Sequence, residues 1–248
     1  MKLNGFALTL VACSAVATSA VAQQEYDELG GYDRGHDYDS EQYAAIEARF
    51  GPYWPKIDEE VNGSPFDDTF GKRHYAFGLQ VDWQMLRIPM LGTLGPGVGW
   101  SWVRYSAAAP FSDGTGSSDQ NTRLWIMPFW GVGVLRVDVF AKNWHIPFVP
   151  YAKAGMVYAL WGCSSGDELC RSADDKVGRG SELGTMWAAG LMLLLDWMDE
   201  ESAREMDNSV GVNNSYFFGE WYSSNVDSFG DGMQVGTDTW TLGLAFEF

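Results

Sequence analysis

Basic residues are scarce in this chain. Its 248 residues hold 16 Lys and Arg against 33 Asp and Glu, a formal net charge of −17. Nucleic-acid phosphates are held by clustered Lys and Arg, so that class of partner is excluded. Long apolar runs are scarce too. Mean hydropathy is −0.18. Past residue 22 the most apolar stretch is Trp187–Leu195, too short to cross a bilayer as a helix. A polytopic helical membrane protein is therefore excluded. Histidine occurs only at 36, 74 and 145, and cysteine only at 13, 163 and 170. No Cys-x-x-Cys redox pair is present. The chain is rich instead in aromatics (12 Trp, 14 Phe, 11 Tyr) and in glycine (29), a content at odds with global disorder.

The first 22 residues read as a secretory signal peptide. Lys2 is the positive start, Phe6–Ala17 the apolar run, and Ala20-Val21-Ala22 a small-x-small cleavage site. Leu10-Val11-Ala12-Cys13 resembles a lipobox, so cleavage before Cys13 with lipidation is the alternative. Export allows disulfides. Cys163 and Cys170 then remain, spaced by a polar segment with one Gly, and are expected to form a small loop disulfide. Residues 23–41 are acidic and rich in turn formers, with Arg34 the only cation. They read as a flexible periplasmic tail. Asp33, Asp37 and Asp39 match no EF-hand spacing.

From residue 42 the period is two. Tyr75, Phe77, Leu79, Val81 and Trp83 alternate with His74, Ala76, Gly78, Gln80 and Asp82. Near the end, Trp240, Leu242, Leu244, Phe246 and Phe248 alternate with Thr239, Thr241, Gly243, Ala245 and Glu247. Such alternation specifies strands. Eight stretches show it: 42–54, 74–85, 95–106, 122–137, 147–162, 182–196, 211–222 and 237–248. A soluble secreted β-sandwich would also alternate. Three features favour an eight-stranded antiparallel transmembrane barrel over residues 42–248. The strand count is even, and about ten residues suit a tilted spanning strand. The less apolar faces carry Gly, Ala, Ser and single charges, as a narrow lumen requires. Trp54, Trp83, Trp161, Trp197, Trp221 and Trp240 sit near stretch ends, where an interfacial girdle would lie.

The last residues, Leu244-Ala-Phe246-Glu-Phe248, resemble the terminal signature of bacterial outer-membrane barrels. The resemblance implies insertion by the barrel assembly machinery and contact with outer-membrane lipid. Three segments, 47–58, 146–155 and 202–221, resemble a family of small outer-membrane barrels best known from myxobacteria. That family has no assigned activity, so the resemblance implies fold and location only. With both termini periplasmic, segments 55–73, 107–121, 163–181 and 223–236 face outward. Segments 86–94, 138–146 and 197–210 face the periplasm, with one or two helical turns expected at Asp199–Met206.

Glu47, Arg49, Asp82, Lys153, Glu220 and Glu247 fall on the expected lumen face. Charges facing lipid cost up to a few kcal/mol, so these are expected to pair across the interior. Eight strands leave an interior just wide enough for its own side chains. Pairing that locks the barrel is therefore expected over a solute path. A lipid-A-modifying enzyme would need a nucleophile with a His base. His36 lies in the tail, His145 at a turn and His74 at a rim, so no catalytic residue is assigned. No cofactor or metal is expected either. The expected role is structural or surface-binding, through outer loops and a protein partner of either side. A narrow passive pore for ions or small solutes is the alternative.

Overall fold

The structure is a computed structural model. It describes residues 43–61, 63–71, 74–110, 117–144, 146–166, 168–170, 177–196 and 211–248. The signal segment with Ala20 and Ala22, Cys13, the acidic segment, His36, His145, Trp197 and the helical turns expected at Asp199–Met206 lie outside them.

Eight strands make the wall: β1 (Ala44–Tyr53), β2 (His74–Trp83), β3 (Gly92–Pro110), β4 (Ser117–Arg136), β5 (Phe148–Ser165), β6 (Arg179–Leu194), β7 (Asn214–Val226) and β8 (Asp238–Glu247). Each pairs antiparallel with the next, and β8 pairs back onto β1, so the ladder closes. At the seam Ala45 stands opposite Glu247 and Phe50 opposite Leu242. The amides of Tyr43 and Ala44 both donate to the Phe248 carbonyl. Closure leaves no sheet edge, which is what permits a β structure in lipid. Two short strands, Leu86–Ile88 and Glu168–Leu169, extend β3 and β5 locally.

We term the end where β1 starts and β8 ends the base, and the opposite end the crown. Strands β1, β2 and β8 have 10 residues each, whereas β3 to β6 have 16–20. At about 3.3 Å per residue the longer strands gain roughly 20–30 Å of height. Most of the loop expected at 107–121 is therefore strand, with Ala108 opposite Asn121 and a register shift before Pro110. Small and polar residues there lack β-type alternation, and cross-strand pairing carries the ladder past them. Two α-helices and a 3-10 turn at Lys56–Glu59 complete the described elements: α1 (Pro65–Phe70) at the crown and α2 (Val139–Trp144) at the base. Helix α1 has Pro at its start and acids in its first turn. Its free amides at Phe66 and Asp67 donate to the Asp58 carboxylate at 2.8 and 2.9 Å.

Outward positions are apolar and exposed. Ile46, Phe50, Phe77, Val98, Met156 and Leu244 are 40–51% accessible. The expected girdle needs correcting. Trp83, Trp221 and Trp240 do face outward, but Trp54 and Trp161 turn inward against the core. Trp100, Trp102, Trp125 and Trp187 are the outward tryptophans that position along the strand did not reveal. The expectation that glycine marks the lumen also fails on β4. There Gly131 and Gly133 point out, while Trp130, Val132 and Val134 fill the interior.

Candidate functional site

The lower lumen holds a lattice of charge beside an apolar cluster of Val149, Met192 and Phe218. Glu47 on β1 is completely buried and touches three cations. Arg49 Nη2 and Arg136 Nη2 each donate to it at 3.0 Å, and Lys153 Nζ at 2.5 Å. Arg136 reaches Asp82 at 2.6 Å and Glu247 at 3.3 Å. Arg49 reaches Glu220 at 3.1 Å, and Lys153 lies 3.6 Å from the same carboxylate. Four carboxylates thus face three cations, all at least nine-tenths buried. Neutral donors supply the remaining bonds. Tyr151 and Thr241 donate to Glu220 at 2.8 and 2.9 Å. Tyr216, Gln84 and Asn214 donate to Glu247 at 2.9, 2.6 and 3.2 Å. Gln80 donates to Asp82 at 2.7 Å and accepts from Trp130 Nε1 at 2.8 Å.

The six residues singled out from the sequence all stand in this lattice. Arg136 was not among them, although it joins three of the four carboxylates. Its signal was present: it continues the inward series Trp130, Val132, Val134 by one more step of two. Close approach of the rings depends on glycine at one point. A Cβ on Gly99 would lie 2.6 Å from the Trp130 indole, so that ring occupies the space a side chain would need. Arg49 sits 5.2 Å above the same indole, a cation–π arrangement.

The upper lumen is apolar. Tyr53, Val103, Tyr105, Ile126, Val157 and Val226 are buried there in one cluster. The crown segment after β1 closes over them. Phe66 and Phe70 of α1 pack on the Tyr105 ring at 5.0 and 5.8 Å, and His74 lies 4.8 Å from it. This lid is tied to the crown loop before β8. Tyr53 Oη donates to Val235 O at 2.7 Å and Trp54 N to Thr237 Oγ1 at 3.1 Å. Lys56 N donates to Gly236 O at 2.9 Å, and Lys56 Nζ pairs with Asp238 at 2.9 Å. The outward-facing segment 55–73 expected from the sequence thus carries a helix. Its start signals, Ser64-Pro65 followed by Asp67 and Asp68, were legible.

Cys163 and Cys170 form a disulfide at the crown, with Cα atoms 5.4 Å apart. The backbone around it is also tied: Cys170 N donates to Cys163 O, and Gly178 N to Cys170 O. Two cavities among the described residues are small. One of about 30 Å³ is lined by Arg49, Tyr53, Trp130 and Tyr222. Another of about 10 Å³ lies between Asp82, Gln84 and Arg136. Each is water-sized.

Comparison with solved structures finds other small barrels. Ail, the attachment invasion locus protein of Yersinia pestis, shares 14% identity at a TM-score of 0.44, over 85% of this chain and 100% of that one. OprG of Pseudomonas aeruginosa shares 10% identity at 0.41, over 85% and 97%. The N-terminal barrel domain of Pseudomonas aeruginosa OprF shares 13% at 0.36, over 84% and 98%. No protein-family model and no curated protein sequence matches the chain.

Proposed function

We propose that the chain is an outer-membrane barrel that works through its crown and outward surface rather than through its lumen. The supporting observation is the filling of the interior. Salt-bridged side chains occupy its lower half, and an apolar core under a helical lid occupies its upper half. Cavities of about 30 and 10 Å³ hold a water molecule or two, not a solute file. The membrane location is supported by the outward face. Each large apolar side chain shielded from water is worth roughly 1.5–3 kcal/mol. A soluble protein showing Phe50, Phe77, Val98 and Trp187 together at about half exposure would forgo that at each position.

A rigid barrel with a tall, disulfide-tied crown suits a structural or surface-binding role. The segment Leu244, Phe246 and Phe248 is the proposed insertion signal for the assembly machinery, as the strand that closes the seam. Segments 47–58, 146–155 and 202–221 support kinship with the myxobacterial barrels. Catalysis forms no part of this reading; His74, the one described histidine, packs at a tilt against Tyr105. The test is conductance of the purified full-length mature protein in planar bilayers. The expected trace stays at the bilayer baseline. Discrete, reproducible conductance steps would overturn the reading in favour of a narrow pore.

A further inference from the structure

The outward wall carries a charge pattern opposite to that of the chain. Acids outnumber bases two to one overall. Yet, Asp119 near the crown end of β4 aside, the charged residues on outward strand positions among the described residues are Arg104, Arg123, Arg179 and Asp238. Asp238 is already paired with Lys56. The three arginines have no ion-pair partner among the described residues, and Arg104 and Arg179 are exposed.

Their positions coincide. Cross-strand pairing runs Arg104, Trp125, Gly162, Arg179 in one row over β3, β4, β5 and β6. Arg123 lies two residues crownward of Trp125 and is the diagonal neighbour of Arg104, at about 7–8 Å. Arg179 lies three strand spacings from Arg104, about 14–15 Å. The floor between them is built for a flat aromatic. Gly162 is buried although it points outward, because the Trp125 ring covers it. A Cβ on Gly162 would come within 2.7 Å of the Trp125 indole nitrogen. Below this row, toward the base, the same strands turn apolar with Val98, Trp100, Trp102, Phe129 and Tyr158. The row therefore marks the crown-side edge of the apolar belt.

That edge is where lipid headgroups lie, and aromatic rings settle at that depth. Arginine can send its guanidinium upward to the headgroup layer while its stem stays on apolar surface. A guanidinium also matches phosphate oxygens in a bidentate fork. We infer that Arg104, Arg123 and Arg179, arranged around Trp125, form a binding site for the phosphates of an anionic glycolipid of the outer leaflet. Arg104 and Arg123 together grip one phosphate, and Arg179, two strands from Arg123 and three from Arg104, takes a second. The inference rests on the outer-membrane reading, which places the crown outside.

The experiment uses the full-length mature protein in neutral detergent, with fold checked by the mobility difference between unheated and boiled gel samples. Diphosphoryl lipid A and the same lipid stripped of phosphate are titrated, and retained lipid is counted by native mass spectrometry. The phosphorylated form is expected to bind at least ten-fold more tightly. The triple variant Arg104→Gln/Arg123→Gln/Arg179→Gln is expected to lose that preference while keeping its gel mobility. The triple Lys variant should lie between, as charge without the fork. Equal binding of both lipids by the parent protein overturns the inference and needs no variant to fold. So does full competition by millimolar inorganic phosphate, which would identify a free-anion site. Absence of any gel shift in the parent protein would instead overturn the membrane reading beneath it.

Discussion

Toward the base, the barrel interior pairs carboxylates with guanidinium and ammonium groups beside a small apolar cluster of Val149, Met192 and Phe218; toward the crown, it is tyrosine, valine and a docked helix. Trp130 touches both, donating to Gln80 on one side and packing in the apolar cluster on the other. The two halves seal the same lumen by different physics. The charged half is costly to desolvate and holds only while every charge keeps its partners. The apolar half gains from burial itself and tolerates small losses in proportion to the volume removed. One half should therefore fail abruptly when a single group is changed, and the other gradually.

The largest effect is expected in the charged half. Glu47→Gln leaves Arg49, Arg136 and Lys153 facing a neutral amide. Breaking one partner of a buried ionic network costs about 3–5 kcal/mol. Urea unfolding of the refolded barrel in detergent should show that loss. A change below 1 kcal/mol would mean that the lattice is hydrated and loosely coupled. Next comes the lid. Phe66→Ala removes a ring packed on Tyr105 and should cost about 3 kcal/mol. The loss should concentrate in the lid, read as faster amide exchange at Phe66 and Asp67 with the strand ladder still protected. Conductance should stay at baseline, because the charged half still blocks the lumen. Current through this variant would assign the seal to the lid alone.

Smaller effects sharpen the contrast. Tyr216→Phe deletes the 2.9 Å bond to Glu247 and should cost about 1.5–3 kcal/mol, as a bond to a charged acceptor. Ile126→Val, one methylene from a completely buried side chain in the upper half, should cost about 0.5–1.5 kcal/mol. The difference in unfolding free energy between these two variants measures how much more a polar contact matters below than a methylene does above. Equal losses would remove the distinction drawn here.

Much of this was legible before any coordinates. Period-two alternation carries strand identity directly, because side chains on a pleated chain point to opposite faces in turn. The sides taken by Glu47, Arg49, Asp82 and Lys153 follow from that rule. Its limits are physical as well. Alternation cannot say which face of an apolar strand points inward, so the glycines of β4 were read on the wrong side. It loses track where Ala107–Pro110 and Ser117–Asn121 offer no contrast between faces, so the height of β3 and β4 was missed. Local chemistry at Ser64-Pro65 marked a helix start, but not that the helix would turn down onto Tyr105.

By itself the sequence determined the number of strands, their antiparallel run and the spacing that lets Cys163 and Cys170 meet, since these depend on neighbours along the chain. Tertiary structure decided which charges touch. Glu47 meets Lys153, 106 positions away, and Arg136 meets Glu247, 111 away. Those pairs exist only because closure of the barrel sets one register for all eight strands. A shift of one residue in any strand would turn its charges from the lumen to the outside.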